Sequence, residues 1–233
     1  MNNQDKTSQG ITPNLPLWSY QLQQDSKLAV KTRKDLEIHL ITRALKDEVF
    51  RQELVANPKA VIEKELGAKL PKELEINVLE ETEDTLYIVL PCNPYEGISE
   101  EDLQALVGMT YEDVAQWVLE QQKNTLLDQE NSIKLMARYW RDDAFKKDLL
   151  LNSKQVIEQE LSLKLLSTDV NLKSLEETNN TIYILLPLCN QHTADYLTEM
   201  MAIDTENAIE TKVLQVNRSI FHNLMIVGSF RRN

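Results

Sequence analysis

Cysteine, basic residues and long apolar runs are all scarce in this sequence, and each scarcity excludes something. Cysteine occurs twice in 233 residues, at Cys92 and Cys189. Two thiols so far apart suit a reduced cytosol better than a disulfide framework, and a soft-metal centre needs several thiolates from one compact segment. Lys and Arg number 25 against 37 Asp and Glu, a net charge of −12. That balance argues against nucleic acid or anionic lipid and favours a basic peptide or basic protein surface. No apolar run approaches the roughly 18 residues of a membrane span, and the start MNNQDKTSQG has neither a basic n-region nor an apolar h-region. The expectation is a soluble, cytoplasmic, acidic protein without membrane insertion. The histidines His39, His192 and His222 are isolated in sequence, so no catalytic, cofactor-binding or metal-binding residue is expected.

What is present is a repeat. Leu40 to Pro91 reads LITRALKDEVFRQELVANPKAVIEKELGAKL, then ELEINVLEETEDTLYIVLP; Leu135 to Pro187 reads LMARYWRDDAFKKDLLLNSKQVIEQELSLKL, then VNLKSLEETNNTIYILLP. The copies share polar residues at fixed places (Arg43/Arg138, Asp47/Asp142, Asn57/Asn152, and LEET at Leu79 to Thr82 and Leu175 to Thr178). Common hydrophobic periodicity cannot produce that, so the chain holds a duplicated module, with one extra residue of the second copy falling in Leu166 to Val170.

Within the first copy, Leu36, Ile38, Ile41, Leu45, Val49 and Phe50 recur at helical spacing, predicting one amphipathic helix ending near Ala56. Asn57-Pro58 supplies an N-cap and a first-turn proline for a second helix with the stripe Val61, Ile62, Leu66, stopped by Gly67. Leu74, Ile76 and Val78 then alternate, Glu80 to Thr85 forms a polar turn, and Leu86 to Leu90 is an apolar strand halted by Pro91. Each copy is therefore expected to be helix, helix, β-hairpin. The continuous runs Leu86 to Leu90 and Ile182 to Leu186 are expected centrally in a sheet, in one shared sheet or in two. Ser99 to Asp102 caps a short helix ending at Gly108, and Tyr111 to about Gln122, with Val114, Trp117 and Val118, bridges the copies.

The predicted class is α+β, divided into a disordered arm at 1–33, module 1 at 34–108, a bridging helix at 109–128, module 2 at 129–203 and a basic apolar tail at 204–233. The brief apolar patch around Trp18 could dock the arm. In the tail, Ile220, Phe221, Leu224 and Ile226 fit one helical face, favouring a docked terminal helix over a free peptide.

The segments NPKAVIEKELG, TLYIVLP and ISEEDLQALVG, in this order, resemble the nitrile hydratase-like leader peptide family (NHLP), the leaders of ribosomally made precursors such as proteusins and azole-containing peptides. The resemblance covers Leu40 to Gly108 and Leu135 to Pro187, and more weakly the stretch to Ala202. Such leaders are in turn similar to the non-catalytic part of the nitrile hydratase α subunit, which implies α-subunit-like layers without the metal site. The resemblance implies a non-catalytic recognition or leader protein of a ribosomal peptide (bacteriocin-type) pathway. As precursor or scaffold it would dock a peptide-modifying enzyme or a peptidase-transporter, with a basic peptide and a homo-oligomer as further candidate partners.

The alternative is a metal-dependent subunit related to nitrile hydratase or thiocyanate hydrolase. Two departures bear on the choice: the C-x-x-C-S-C metal cluster of those enzymes is missing, and Gly108-Met109 stands where leaders end in Gly-Gly or Gly-Ala. Candidate sites are Gly108 and Met109 as a cleavage remnant, or Gly108 as a helix cap. Glu80, Glu81, Glu176, Glu177 and Trp117 are candidate partner contacts, the acids being expected in solvated turns.

Overall fold

The computed structural model of the protein describes residues 33–120, 127–162 and 169–188, together with Pro13. The N-terminal arm with Trp18, Cys189, the segment Thr193 to Ala202 and the C-terminal tail lie outside the described residues. The first copy builds α1 (Arg33–Lys46), α2 (Glu48–Ala56), α3 (Pro58–Leu66), β1 (Glu75–Glu80) and β2 (Thr85–Leu90). Then come α4 (Glu100–Leu106) and α5 (Tyr111–Glu120). The second copy builds α6 (Gln129–Arg141), α7 (Asp143–Leu151), α8 (Ser153–Glu160), β3 (Asn171–Glu176) and β4 (Thr181–Leu186). The class is α+β, as expected.

The single long helix expected at the start of each copy is two helices. Asp47 leaves helical geometry (φ −131°, ψ 99°) and its carboxylate accepts from the Phe50 N–H, starting α2 as an N-cap. Asp142 does the same for α7, accepting from Ala144 and Phe145. An aspartate satisfies N–H groups that have no partner in a helix's first turn, so a break there costs little. Asn57 and Asn152 occupy the next N-cap positions, yet neither side chain makes a capping bond. Gly67 stops α3 as read, at φ +69°.

The β-hairpins are not formed. β1 pairs in parallel with β4 (Ile76↔Ile182, Val78↔Ile184) and β2 in parallel with β3 (Leu86↔Leu172, Val89↔Leu175). The strands of one copy thus belong to two different sheets, and β2 and β4 do not share one. Each sheet has two strands among the described residues, so neither strand is central. Glu81–Asp84 is four residues long, enough for an antiparallel hairpin but far short of the crossover of about a dozen that parallel neighbours need. A parallel partner for β1 must therefore come from the other copy. The Thr82 N–H to Thr85 O bond, 2.9 Å, and its counterpart Thr178 N–H to Thr181 O, 3.1 Å, turn the chain from one sheet to the next.

The strand exchange divides the core. One cluster joins α1, α2 and α3 (Leu40, Leu54, Ile62) to β1 and to Ile182, Ile184 and Leu186 of β4. A second joins α6, α7 and α8 (Leu135, Leu149, Ile157) to Leu172 of β3 and to Leu86, Ile88 and Leu90 of β2. Each copy's helices close over a strand that the other copy supplies. A third, smaller cluster, Tyr95, Leu103, Tyr111 and Val114 against Ala137, seats α4 and α5 on α6.

Equivalent residues repeat the same contacts. Arg43 lies over the Phe50 ring at 4.2 Å and binds Glu65; Arg138 lies over Phe145 at 4.4 Å and binds Glu160. Lys59 donates to Leu74 O and Lys154 to Val170 O, both at 3.0 Å. Leu66 corresponds to Leu161 and Leu74 to Val170, so the extra residue of the second copy falls between Leu161 and Val170.

Candidate docking site at the strand exchange

The two LEET segments are where each copy's chain passes from one sheet to the other. Their first glutamates meet cations from their own copy: Arg51 Nε of α2 donates to Glu80 Oε1 at 2.5 Å, and Lys146 of α7 bonds to Glu176. Glu176 also accepts from the Tyr139 hydroxyl, and burial followed by this carboxylate raises the tyrosine's pKa. Glu80 and Glu176 remain partly exposed, and both can still be approached from solvent.

The second glutamates turn along the strands. Glu177 Oε1 accepts from the Tyr183 N–H at 2.9 Å, and Glu81 Oε1 from the Tyr87 N–H at 3.4 Å. Glu177 is 5 % exposed. Arg33 grips it with two bonds of 2.6 and 2.7 Å, and the same guanidinium donates to Glu37 at 2.6 Å and to Tyr183 O at 2.9 Å. The solvated-turn expectation therefore fails for Glu177. Once the strands are exchanged, its side chain faces α1 of the other copy and needs a buried cation there. Arg33 itself opens α1, one residue inside the segment assigned to the arm.

Cys92 follows β2, and its thiol donates to Glu177 O at 3.0 Å. Burial, with Glu177, Glu96 and Glu176 nearby, pushes the thiol up to about 12, so at neutral pH it is a protonated donor, unlike the thiolate a metal requires. No group of three or more His, Cys, Asp or Glu with metal-holding geometry occurs among the described residues. Together with the isolated cysteines of the sequence, this donor set does not fit the cobalt or iron centre of a nitrile hydratase.

Gly108 ends α4 in the left-handed region, φ +77°. Its N–H reaches Leu103 O and Gln104 O at 3.2 and 3.1 Å, the geometry of a helix C-cap. Gly108 is exposed, Met109 packs partly against the third cluster, and Leu106 beside them is 54 % exposed. Trp117 is half-buried on α5 and belongs to none of the three apolar clusters. Arg141 ties this region to the second copy, binding Glu100 at 2.6 Å and Glu112 at 3.0 Å. The structure thus gathers the four glutamates at the strand exchange and places Gly108, Met109 and Trp117 on the α4–α5 arm.

Sequence reasoning missed Arg33, Arg51 and Lys146. The like charge at Arg51 and Lys146 in the two copies was a usable signal. Arg33 gave none, because Asp128 occupies its repeat position.

Residues 42–112, from α1 into α5, match the family model described as nitrile hydratase, alpha chain. Over this segment the chain is similar to that family. The nitrile hydratase-like segment falls on the first copy and its α4 extension. Over 95 residues the chain is 34 % identical to polytheonamide B of a bacterial symbiont of Theonella swinhoei, covering 37 % of this chain and 66 % of that protein. Over 61 residues it is 36 % identical to the high-molecular weight cobalt-containing nitrile hydratase subunit alpha of Rhodococcus rhodochrous, covering 25 % of this chain and 30 % of the subunit. A solved double mutant of the Fe-type nitrile hydratase from Comamonas testosteroni Ni1 superposes with a TM-score of 0.41 at 18 % identity, covering 71 % of this chain and 66 % of that one. The chain thus spans about two thirds of one curated relative and under a third of the other. No helix among the described residues is long and apolar enough to cross a membrane.

Proposed function

We infer that the chain is a non-catalytic recognition or leader protein of a ribosomal peptide pathway, docked by a peptide-modifying enzyme or a peptidase-transporter in the cytoplasm. The observation that carries this reading is the 34 % identity to polytheonamide B, a ribosomally made and modified peptide, over 95 residues. The donor set supports it, since a hydratase metal has no compact thiolate cluster to hold it in this sequence. Docking would use main-chain groups and apolar side chains on a helix face or strand edge, holding a peptide near an active site by effective concentration. Glu80, Glu176 and Trp117 are the candidate contacts, and the net charge of −12 suits a basic partner surface.

The rival reading, a subunit related to nitrile hydratase, is favoured by the family match over residues 42–112. One experiment separates the two. The full chain is co-expressed with the peptide-modifying enzymes encoded beside its gene, and intact masses are read for the chain and for any small peptide made with it. A mass change on the chain's own tail identifies a precursor, and one on a separate peptide that depends on this chain identifies a scaffold. No change on either, together with nitrile hydrolysis by the cobalt- or iron-loaded protein, supports the rival.

A further inference from the structure

We propose that the module is a receptor for a second module of its own kind, and that the strand T-[L/I]-Y-I-[V/L]-L is the element recognised. The proposal stands on the strand pairing and is independent of the leader reading. β1 and β2 are joined by four residues, too few for them to pair in parallel with each other. Each of them pairs in parallel with a strand of the other copy, β1 with β4 and β2 with β3, and each helical layer takes its closing side chains from that copy. The second copy supplies what is missing: β4 brings Ile182, Ile184 and Leu186 into the first copy's core, all at most 6 % exposed. In return β2 brings Leu86, Ile88 and Leu90 into the second core.

The bonds at the strand ends also match across the exchange. Glu75 N–H donates to Asn180 O and Asn171 N–H to Asp84 O, both at 2.7 Å; Glu81 N–H donates to Leu186 O and Glu177 N–H to Leu90 O, both at 2.9 Å. Such reciprocity is the mark of an isologous interface, in which the same surface meets itself. The covalent link between the copies keeps the partner at high local concentration, and its helix α5 adds Ala115 to the second core. The partner chemistry is thus specific: a polypeptide offering the same strand, read parallel, with apolar residues at alternate positions and an acidic pair after the receiving strand.

The test uses the full chain with a specific protease site inserted after Gly97, an exposed turn position in whose vicinity an added Cβ would meet nothing. The folded protein is cut, and two populations, one tagged on the N-terminal piece, are mixed and followed by native mass spectrometry and light scattering. The expected result is a particle of intact mass at micromolar concentration, with tagged N-terminal pieces acquiring untagged C-terminal pieces. Ile184→Ala should weaken the association tenfold or more. If the insertion prevents folding, judged by circular dichroism before cleavage, the site after Asn124 takes its place. Separation of the two pieces in native buffer after either cut, folded or not, overturns the proposal.

Discussion

Arg33 and Glu177, 144 residues apart in sequence, form a buried two-pronged ion pair: Nη1 to Oε2 at 2.7 Å and Nη2 to Oε1 at 2.6 Å. The pair links the first helix of copy one to the turn between the strands of copy two. Burial works against the guanidinium's charge, and Glu177 with Glu37 overcomes this, so the Arg33 pKa is raised. Removing one partner strands a charge in low dielectric. Arg33→Met should therefore cost about 3–5 kcal/mol of unfolding free energy, with the double variant Arg33→Met/Glu177→Leu less destabilised than the single one. Urea unfolding of the four proteins measures the cycle; a loss below about 1 kcal/mol would show the pair to be solvated.

Leu186 is fully buried and completes the first copy's core although it belongs to the second. Leu186→Ala should destabilise by about 2–5 kcal/mol. Its repeat counterpart Leu90→Ala, in the other core, should cost a similar amount. Both transitions should stay cooperative and coincide by fluorescence and circular dichroism, because each core spans both copies. Two separate transitions would mean that the copies unfold independently.

Cys92 should resist alkylation. Its thiol lies near pKa 12, against an ordinary value of 9.0, so little thiolate forms at pH 8 in the folded protein. A raised folded pKa contributes stability below about pH 9 and loses it as pH rises towards 12. Iodoacetamide labelling of the Cys92 peptide, mapped by mass spectrometry, should be slow at pH 8 and accelerate on unfolding in urea. Labelling at the rate of a free cysteine peptide would show the thiol to be exposed.

Gly108→Ala places a Cβ at φ +77°, where an L residue costs about 1 kcal/mol. Thermal unfolding should register that loss without any change in helix content. The same residue tests the cleavage reading: a leader peptidase acting there should release residues 109–233, whereas a helix cap should leave the folded chain intact under limited proteolysis at this site.

Purified after growth with cobalt, iron or zinc, the protein should hold no stoichiometric metal and hydrolyse neither nitriles nor thiocyanate. Elemental analysis and activity assays decide. One metal per chain, lost in the Cys92→Ser/Cys189→Ser protein, would contradict the non-catalytic reading.

Much of the local structure was legible. The alternation in Leu74, Ile76 and Val78, the Gly67 stop and the Ser99 cap all report residues whose signals act within one turn of chain. The pairing of strands was not. A hairpin and an exchanged pair need the same alternation and the same polar turn, and in a duplicated sequence the wrong partner carries nearly the same residues as the right one. Connection length was the discriminating quantity, but it becomes decisive only once the strands are known to run parallel. Asp47 and Asp142 could have been read as helix breaks, since an aspartate at the same place in both copies offers a cap. Glu177 was misjudged for the same reason as the hairpin: its burial follows from the exchange and has no local signal.

Whether the two copies of the module close each other's cores and so act as one folded unit is read most directly from backbone nuclear Overhauser contacts in the uniformly labelled full chain. Parallel cross-strand contacts are expected between Ile76 and Ile182, Val78 and Ile184, Leu86 and Leu172, and Val89 and Leu175. Antiparallel contacts joining Glu75–Glu80 to Thr85–Leu90 within one copy would contradict the strand exchange.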